Sequence, residues 1–120
     1  MPVKTILVVD DSPTERLVMS ELLTRNGYQV ITAENGEDGV GKAKQQQPDM
    51  ILMDVVMPGI NGYSATRTLT RDETTKHIPI IMCTSKGEET DRIWGLRQGA
   101  VDYVVKPVDA QELLSKIAAL

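Results

Sequence analysis

The chain has 120 residues and a formal net charge of -4, and 41% of its residues are hydrophobic. This length suits one domain with a single core, which must be built from aliphatic side chains because Phe is absent and other aromatic residues are few. The negative charge, together with the lack of any run of Lys and Arg, argues against nucleic acid as the main partner.

The sequence favours a reducing compartment. Its single cysteine, Cys83, cannot form an internal disulfide and lies in an apolar stretch, so we expect a buried structural thiol. No stretch approaches the roughly 20 apolar residues that span a bilayer, and charged residues follow the amino terminus too soon for a signal peptide. We therefore expect a cytoplasmic protein with no membrane insertion.

Five short apolar runs predict β-strands. Several of them are continuous and not alternating, which is typical of strands that are covered on both faces. The predicted strands are residues 6–9, 28–32, 50–53, 80–83 and 101–105.

Helix signals follow each of these runs. In the first helix Ser12 can act as the cap, Pro13 suits the first position, and Glu15 completes a capping box. The second helix is the weakest, because Gly39 and Gly41 each cost about 0.8 to 1 kcal/mol relative to Ala. The apolar side expected for the first helix comprises Leu17, Val18, Met19, Leu22 and Leu23. The predicted helices are residues 13–26, 37–46, 62–71, 88–98 and 110–119.

Strand and helix alternate five times along the chain, which predicts an α/β fold. Right-handed crossovers should assemble the strands into a parallel sheet with helices on both faces. No linker interrupts the pattern, so we expect a single domain over residues 1–120. The last predicted helix leaves no room for an output domain, and the protein is therefore expected to signal by contacting another molecule.

Polar side chains follow four of the predicted strands. Asp10 and Asp11 follow the first, Asp54 the third, Thr84 the fourth and Lys106 the fifth. Open parallel sheets bind ligands at this edge, where three carboxylates would repel one another unless a cation such as Mg²⁺ joined them. One Asp could then attack a phosphoryl group while the lysine and threonine screen its oxygens. The simplest alternative, an Asp pair that favours a helix dipole, leaves Asp54 and Lys106 unexplained.

Four segments carry a resemblance to a known family. They read ILVVDD at 6–11, MILMD at 50–54 with MPG at 57–59 and NG at 61–62, PIIMCT at 79–84, and YVVKP at 103–107. In this order and at these separations they resemble the receiver domain of two-component response regulators, the CheY-like family, over essentially the whole chain. The resemblance implies a flavodoxin-like, doubly wound sheet of five parallel strands in the order 2-1-3-4-5, with five helices.

The resemblance assigns the phosphoryl chemistry to three side chains. Asp54 would be phosphorylated by the phosphohistidine of a partner histidine kinase or by a small acyl phosphate. Thr84 would bond one phosphoryl oxygen and Lys106 another, and the bond between Lys106 and Pro107 would be cis.

The resemblance also implies a Mg²⁺ site. Asp11 would bind the ion directly, Asp10 through water, and Asp54 and the backbone carbonyl of Val56 would complete the protein ligands. Val56 has no polar side chain, and Lys86 brings a positive charge close to the expected phosphoryl position. Both residues bear on the lifetime of the phosphorylated state.

The expected output is a conformational switch. By resemblance Tyr103 would turn inward when Thr84 moves toward the phosphoryl group, and the fourth helix, fifth strand and fifth helix would form the face that binds a downstream effector. From the residues alone Tyr103 is equally compatible with a half-buried strand tyrosine. The single tryptophan, Trp94, could anchor a partner or simply pack.

The segments DDSPTE at 10–15, CTSKG at 83–87 and DRIWG at 91–95 are most similar to single-domain regulators of type IV pilus chemotaxis systems, which control twitching motility. The same site would serve a flagellar regulator or a phosphate sink. Two other classes stay open: a phosphohydrolase working through an aspartyl phosphate, whose usual second Asp is replaced by Val56, and a constitutive docking module with a vestigial site. We expect a phosphoacceptor signalling protein and not an enzyme.

Overall fold

Five parallel strands form one sheet in the computed structural model, which describes residues 2–55, 57, 59–84, 93 and 96–120. The order across the sheet is β2-β1-β3-β4-β5. The strands are Thr5–Val9 (β1), Gln29–Ala33 (β2), Met50–Asp54 (β3), Ile80–Thr84 (β4) and Asp102–Val105 (β5). The predicted α/β class and strand order are confirmed, and each strand boundary lies within one residue of its prediction.

Four helices lie wholly within the described residues, and each boundary is within one residue of its prediction. They are Pro13–Arg25 (α1), Gly36–Gln46 (α2), Gly62–Arg71 (α3) and Ala110–Ala118, the C-terminal helix. The predicted helix 88–98 falls largely outside the described part of the chain, where only Ile93, Leu96 and Arg97 are seen to be helical. None of the helices in the described ranges is long and apolar enough to cross a bilayer.

The core is divided between the two faces of the sheet, because successive strand residues point to opposite sides. Leu7 and Val9 of β1 pack on the side of α2 and α3, in a cluster that includes Ala43 and Leu69. The other face carries a second cluster, formed by Ile6, Val8, Met50, Leu52, Leu23, Leu113 and Ile117. Cys83 belongs to this second cluster, so the expected buried thiol is confirmed.

The predicted apolar side of α1 is wrong at two positions. Leu17 and Val18 are 60% and 62% exposed, whereas Leu23 is fully buried. Met19, Leu22 and Leu23 follow the i, i+3, i+4 spacing of one helix stripe, and among the residues of α1 these three belong to the core cluster. Leu17 points away from it.

Candidate functional site

Three carboxylates meet at the carboxyl edge of the sheet. Asp10 and Asp11 follow the last residue of β1, and Asp54 is the last residue of β3. Because these two strands are parallel neighbours with Val9 beside Met53, their ends lie side by side. One carboxylate oxygen from each Asp lies within 4.8 Å of the other two. The convergence expected from the sequence is therefore present.

The turn from β1 into α1 is built around Asp10. The backbone N–H of Ser12 donates to Oδ1 of Asp10 at 2.9 Å, and Nη1 of Arg16 donates to the Asp10 carbonyl oxygen at 2.7 Å. Ser12 caps α1 as predicted, accepting from the N–H of Glu15 at 3.2 Å. The reciprocal half of the capping box is wrong, because the Ser12 N–H is taken by Asp10 and the Glu15 side chain turns to Lys106.

Lys106 places its ammonium among carboxylates from three elements. Its Nζ lies 3.0 Å from Oδ1 of Asp54, 3.3 Å from Oδ2 of Asp10 and 2.7 Å from Oε2 of Glu15. Its backbone N–H donates to the Thr84 carbonyl oxygen at 2.7 Å, which fixes the residue beside the end of β4. The bond to Pro107 is cis, as the resemblance implies.

The two expected switch residues lie on the same face of the sheet. Tyr103 pairs with Met82 and Val105 with Thr84 in the parallel register of β4 and β5, so Tyr103 and Thr84 share one side. Thr84 is buried, and Tyr103 is half-buried against the core on the side of α2 and α3. Nζ of Lys116 lies 5.5 Å from the centroid of the Tyr103 ring.

The electrostatics of the site are set by burial and by the shared ammonium. Burial raises the pKa of Asp54 to about 6; the charges of Asp10 and Asp11 also raise it, whereas the hydrogen bond from Lys106 lowers it. Burial likewise raises the pKa of Asp10. Burial alone would lower the pKa of Lys106, but its hydrogen bonds to Glu15 and Asp54 hold that pKa above the ordinary value. The Lys106 hydrogen bond lowers the pKa of Glu15.

The carboxylate cluster fits a hard divalent cation. All three donors are oxygens, two of them on buried side chains, while Asp11 is exposed and leaves the cluster open to water. Mg²⁺ prefers oxygen ligands and keeps several waters, so it suits an open cluster of this kind. A bound cation would also relieve the repulsion that raises the pKa of Asp54.

An apolar cavity of about 290 Å³ lies beside the carboxylates, between α1 and the segment after β5. Its lining includes Val18, Met19 and Leu22 of α1 and Val108 of the segment after β5. The thiol of Cys83 also lines it, and burial raises its pKa to about 12, so it stays protonated and unreactive at neutral pH.

Three residues singled out from the sequence, Val56, Lys86 and Trp94, lie outside the described residues. Conversely, sequence reasoning missed the roles of Glu15 and Arg16. Both lie in the first turn of the helix that leaves the end of β1, so their side chains start close to Asp10. Their position in the first turn was the sequence signal that could have indicated a contact near Asp10. For Glu15, the expected capping box offered another explanation of the same position.

Comparison with known proteins agrees with this geometry. The profile of the response regulator receiver domain matches residues 6–118. The chain is 56% identical over 115 residues to protein PilH of Pseudomonas aeruginosa, covering 96% of this chain and 95% of PilH. It is 43% identical to the phosphate regulon transcriptional regulatory protein PhoB of the same species, covering 98% of this chain but only 51% of PhoB, so it spans about half of that longer relative.

One similar solved structure contains a magnesium ion. The receiver domain of the sensor histidine kinase PA1611 from Pseudomonas aeruginosa superimposes with a TM-score of 0.88 at 36% identity, covering 96% of this chain and 94% of that one, and it holds a magnesium ion in its active-site cleft. Receiver domains bind Mg²⁺ at an acidic site, and Asp10, Asp11 and Asp54 form an acidic cluster in this chain. The chain therefore belongs to the family of response regulator receiver domains and is a response regulator of a two-component phosphorelay.

Proposed function

We propose that Asp54 is the phosphoacceptor of this receiver. A carboxylate oxygen of Asp54 attacks the phosphorus of a phosphohistidine on a histidine kinase, or of a small acyl phosphate. A new P–O bond forms as the P–N or P–O bond of the donor breaks, and the electron pair of the broken bond returns to the imidazole nitrogen or the leaving carboxylate. The product is an acyl phosphate on Asp54.

One observation carries this proposal: Oδ1 of Asp54 lies 3.0 Å from Nζ of Lys106, inside a carboxylate cluster suited to a divalent cation. The lysine can follow the charge as it moves from the carboxylate to the phosphoryl oxygens. Thr84 ends the neighbouring strand β4, and its hydroxyl is a candidate donor to a second phosphoryl oxygen. Because Asp54 is only 6% exposed, water has limited access to the nucleophile.

For the metal, we propose Asp10, Asp11 and Asp54 as the side chains that hold Mg²⁺, together with the backbone carbonyl of Val56. Bound Mg²⁺ would supply positive charge to offset the phosphoryl oxygens. The protein's own part is to keep the three carboxylates together: the Ser12 N–H orients Asp10, and the strand register fixes Asp54 beside it.

For the output, we propose a switch of Thr84 and Tyr103 that changes the face formed by the predicted fourth helix, β5 and the C-terminal helix. A downstream effector protein would bind this face, with no nucleic acid partner. The 56% identity to PilH, over 95% of its length, supports a regulator of a pilus-type chemotaxis system that controls twitching motility. We further propose that self-phosphorylation and autodephosphorylation are the only reactions the protein carries out.

The test is labelling by acetyl phosphate in the presence of Mg²⁺, followed by intact mass measurement and peptide mapping. Wild-type protein should gain one phosphoryl group, located at Asp54, and removal of Mg²⁺ by a chelator should abolish the gain. The Asp54→Ala variant should gain none. Asp38→Ala is the matched control, because Asp38 pairs with Lys42 within α2 and is not one of the three converging carboxylates, and it should label as the wild type does.

Two results would contradict the proposal. Undiminished labelling of Asp54→Ala would show that another residue is the acceptor. No labelling of the wild type, with no binding of Mg²⁺, would favour a constitutive docking module. Multiple turnover of an ordinary phosphoester substrate would instead favour a phosphohydrolase.

A further inference from the structure

Glu15 makes the shortest ionic contact of Lys106. Its Oε2 lies 2.7 Å from Nζ, compared with 3.0 Å for Asp54 and 3.3 Å for Asp10. Glu15 comes from the first turn of α1, and its side chain is about half exposed, whereas the side chains of Asp10 and Asp54 are almost completely buried. A surface carboxylate therefore reaches in to the lysine of the site.

The lysine has no donor to spare in this arrangement. An ammonium group has three N–H donors, and three carboxylates lie within reach of them. A phosphoryl oxygen on Asp54 can bond Lys106 only by displacing one of these acceptors or by sharing a donor with it. The contact to Glu15 is the one that holds the ammonium toward α1.

We infer that Glu15 is a positioning residue that acts through Lys106, holding its ammonium toward α1 and competing for it with a phosphoryl oxyanion on Asp54. This inference rests on the proposed function of Asp54. Glu15 thereby lowers the affinity of the site for phosphoryl groups. Its negative charge and that of the phosphoryl oxygens would both contact the Lys106 ammonium and would therefore lie close enough to repel each other.

A purely structural role for Glu15 makes a different prediction. As an acidic residue in the first turn of α1, Glu15 also interacts favourably with the helix dipole, and its loss would then lower stability without changing oxyanion affinity. The two roles are separable, because Gln keeps the length and helix preference of the side chain and removes only the charge.

The experiment uses beryllium fluoride as the phosphoryl mimic at saturating Mg²⁺, with its bound fraction followed by ¹⁹F NMR. Glu15→Gln should lower the dissociation constant of beryllium fluoride by about two- to fivefold, the range expected for a partly exposed ion pair. Glu21→Gln is the control. Glu21 lies on the same helix and pairs with Arg25 at 3.7 Å, and its substitution by Gln removes the same charge. Its affinity should match the wild type.

A second variant separates contact from charge. Glu15→Asp keeps the charge but shortens the side chain by one methylene, so it should resemble Glu15→Gln if direct contact with Lys106 is what matters. The ¹⁵N-detected ammonium signal of Lys106 in the unliganded protein gives an independent readout. It should be protected from hydrogen exchange in the wild type and in Glu21→Gln, and less protected in both Glu15 variants.

Equal or weaker beryllium fluoride binding by Glu15→Gln, or an equal gain in Glu21→Gln, would overturn the inference and leave the proposed function intact. Asp54→Ala identifies the other failure. If the wild type binds the mimic no better than Asp54→Ala does, the proposed function is wrong and the inference falls with it.

Discussion

The ammonium of Lys106 lies 3.0 Å from the carboxylate of Asp54, yet the pKa of Asp54 is raised and not lowered. Burial is the largest cause, and the charges of Asp10 and Asp11 add to it. The lysine is shared with two other carboxylates, so it offsets only part of this cost. Without a metal, the folded state therefore holds an ionised Asp54 at a cost in stability.

The first prediction is that Asp54→Asn stabilises the metal-free protein at neutral pH. The carboxyl has a pKa of about 6 in the folded protein and an ordinary value of 3.8, which corresponds to about 2 to 3 kcal/mol. Because the folded state holds this proton more tightly than the unfolded chain, the penalty is fully present above about pH 6 and fades as the pH falls toward 3.8. Urea unfolding across this range, in a chelator, measures it.

The comparison of the two proteins cancels the titration of groups that do not interact with Asp54. The stability gap between Asp54→Asn and the wild type should open between about pH 4 and pH 6 and stay constant above that range. A gap that is independent of pH would mean that Asp54 is not the source.

The second prediction concerns Mg²⁺ and Asp11. A ligand that binds only the folded state stabilises it by about 2.7 kcal/mol at a hundredfold excess over its dissociation constant, so Mg²⁺ should raise the Tm of the wild type. Asp11→Asn should lose most of this rise, because Asp11 supplies one of the three converging oxygens. Thermal unfolding with and without Mg²⁺ measures the effect, and Asp38→Asn serves as control. An unchanged rise in Asp11→Asn would exclude Asp11 as a ligand.

The sequence predicts the fold and the position of the main carboxylates, because both depend on where the apolar strands lie and end. Asp10, Asp54 and Lys106 follow directly on apolar runs, and parallel strands bring such positions to one edge. The contact of Glu15 with Lys106 joins residues 91 apart, and no local pattern reports it. Leu17 was misplaced for a similar reason, since apolar residues on several sides of α1 do not show which stripe the sheet will cover.

The third prediction compares two buried threonines, one whose hydroxyl makes no hydrogen bond among the described residues and one whose hydroxyl makes one. Thr66 in α3 is fully buried, and its Oγ1 has no hydrogen-bond partner among the described residues. Thr66→Val replaces an unpaired hydroxyl with a methyl of similar size, so it should be neutral or stabilising by about 1 kcal/mol. Thr75, equally buried, donates from Oγ1 to the Leu69 carbonyl oxygen at 2.7 Å.

Thr75→Val should therefore destabilise the protein by about 1 to 2 kcal/mol, because it leaves a buried carbonyl without this donor. Urea unfolding of the two variants gives the comparison. An equal loss of stability in the two variants would mean that the Thr66 hydroxyl has a hydrogen-bond partner. The predicted difference in stability between the two variants would then be wrong.

The fourth prediction separates the two glycines that make α2 look weak in the sequence. A Cβ on Gly39 would lie 2.8 Å from Cγ2 of Val9, which is buried in the core. A Cβ on Gly41 would meet no atom of a described neighbour within 4 Å. Gly41→Ala should thus stabilise the protein by about 0.8 to 1 kcal/mol through helix propensity alone. Gly39→Ala should instead destabilise it, because overpacking a core costs about 1 to 3 kcal/mol.

The same pair of variants links packing to the site. Val9 is the last residue of β1 and precedes Asp10, so a side chain forced against it should displace a carboxylate of the cluster. Mg²⁺ affinity, measured by calorimetric titration, should therefore weaken in Gly39→Ala and stay unchanged in Gly41→Ala. If both variants bind Mg²⁺ as the wild type does while only Gly39→Ala loses stability, β1 absorbs the strain without moving Asp10, and the close approach of α2 to β1 serves the fold alone.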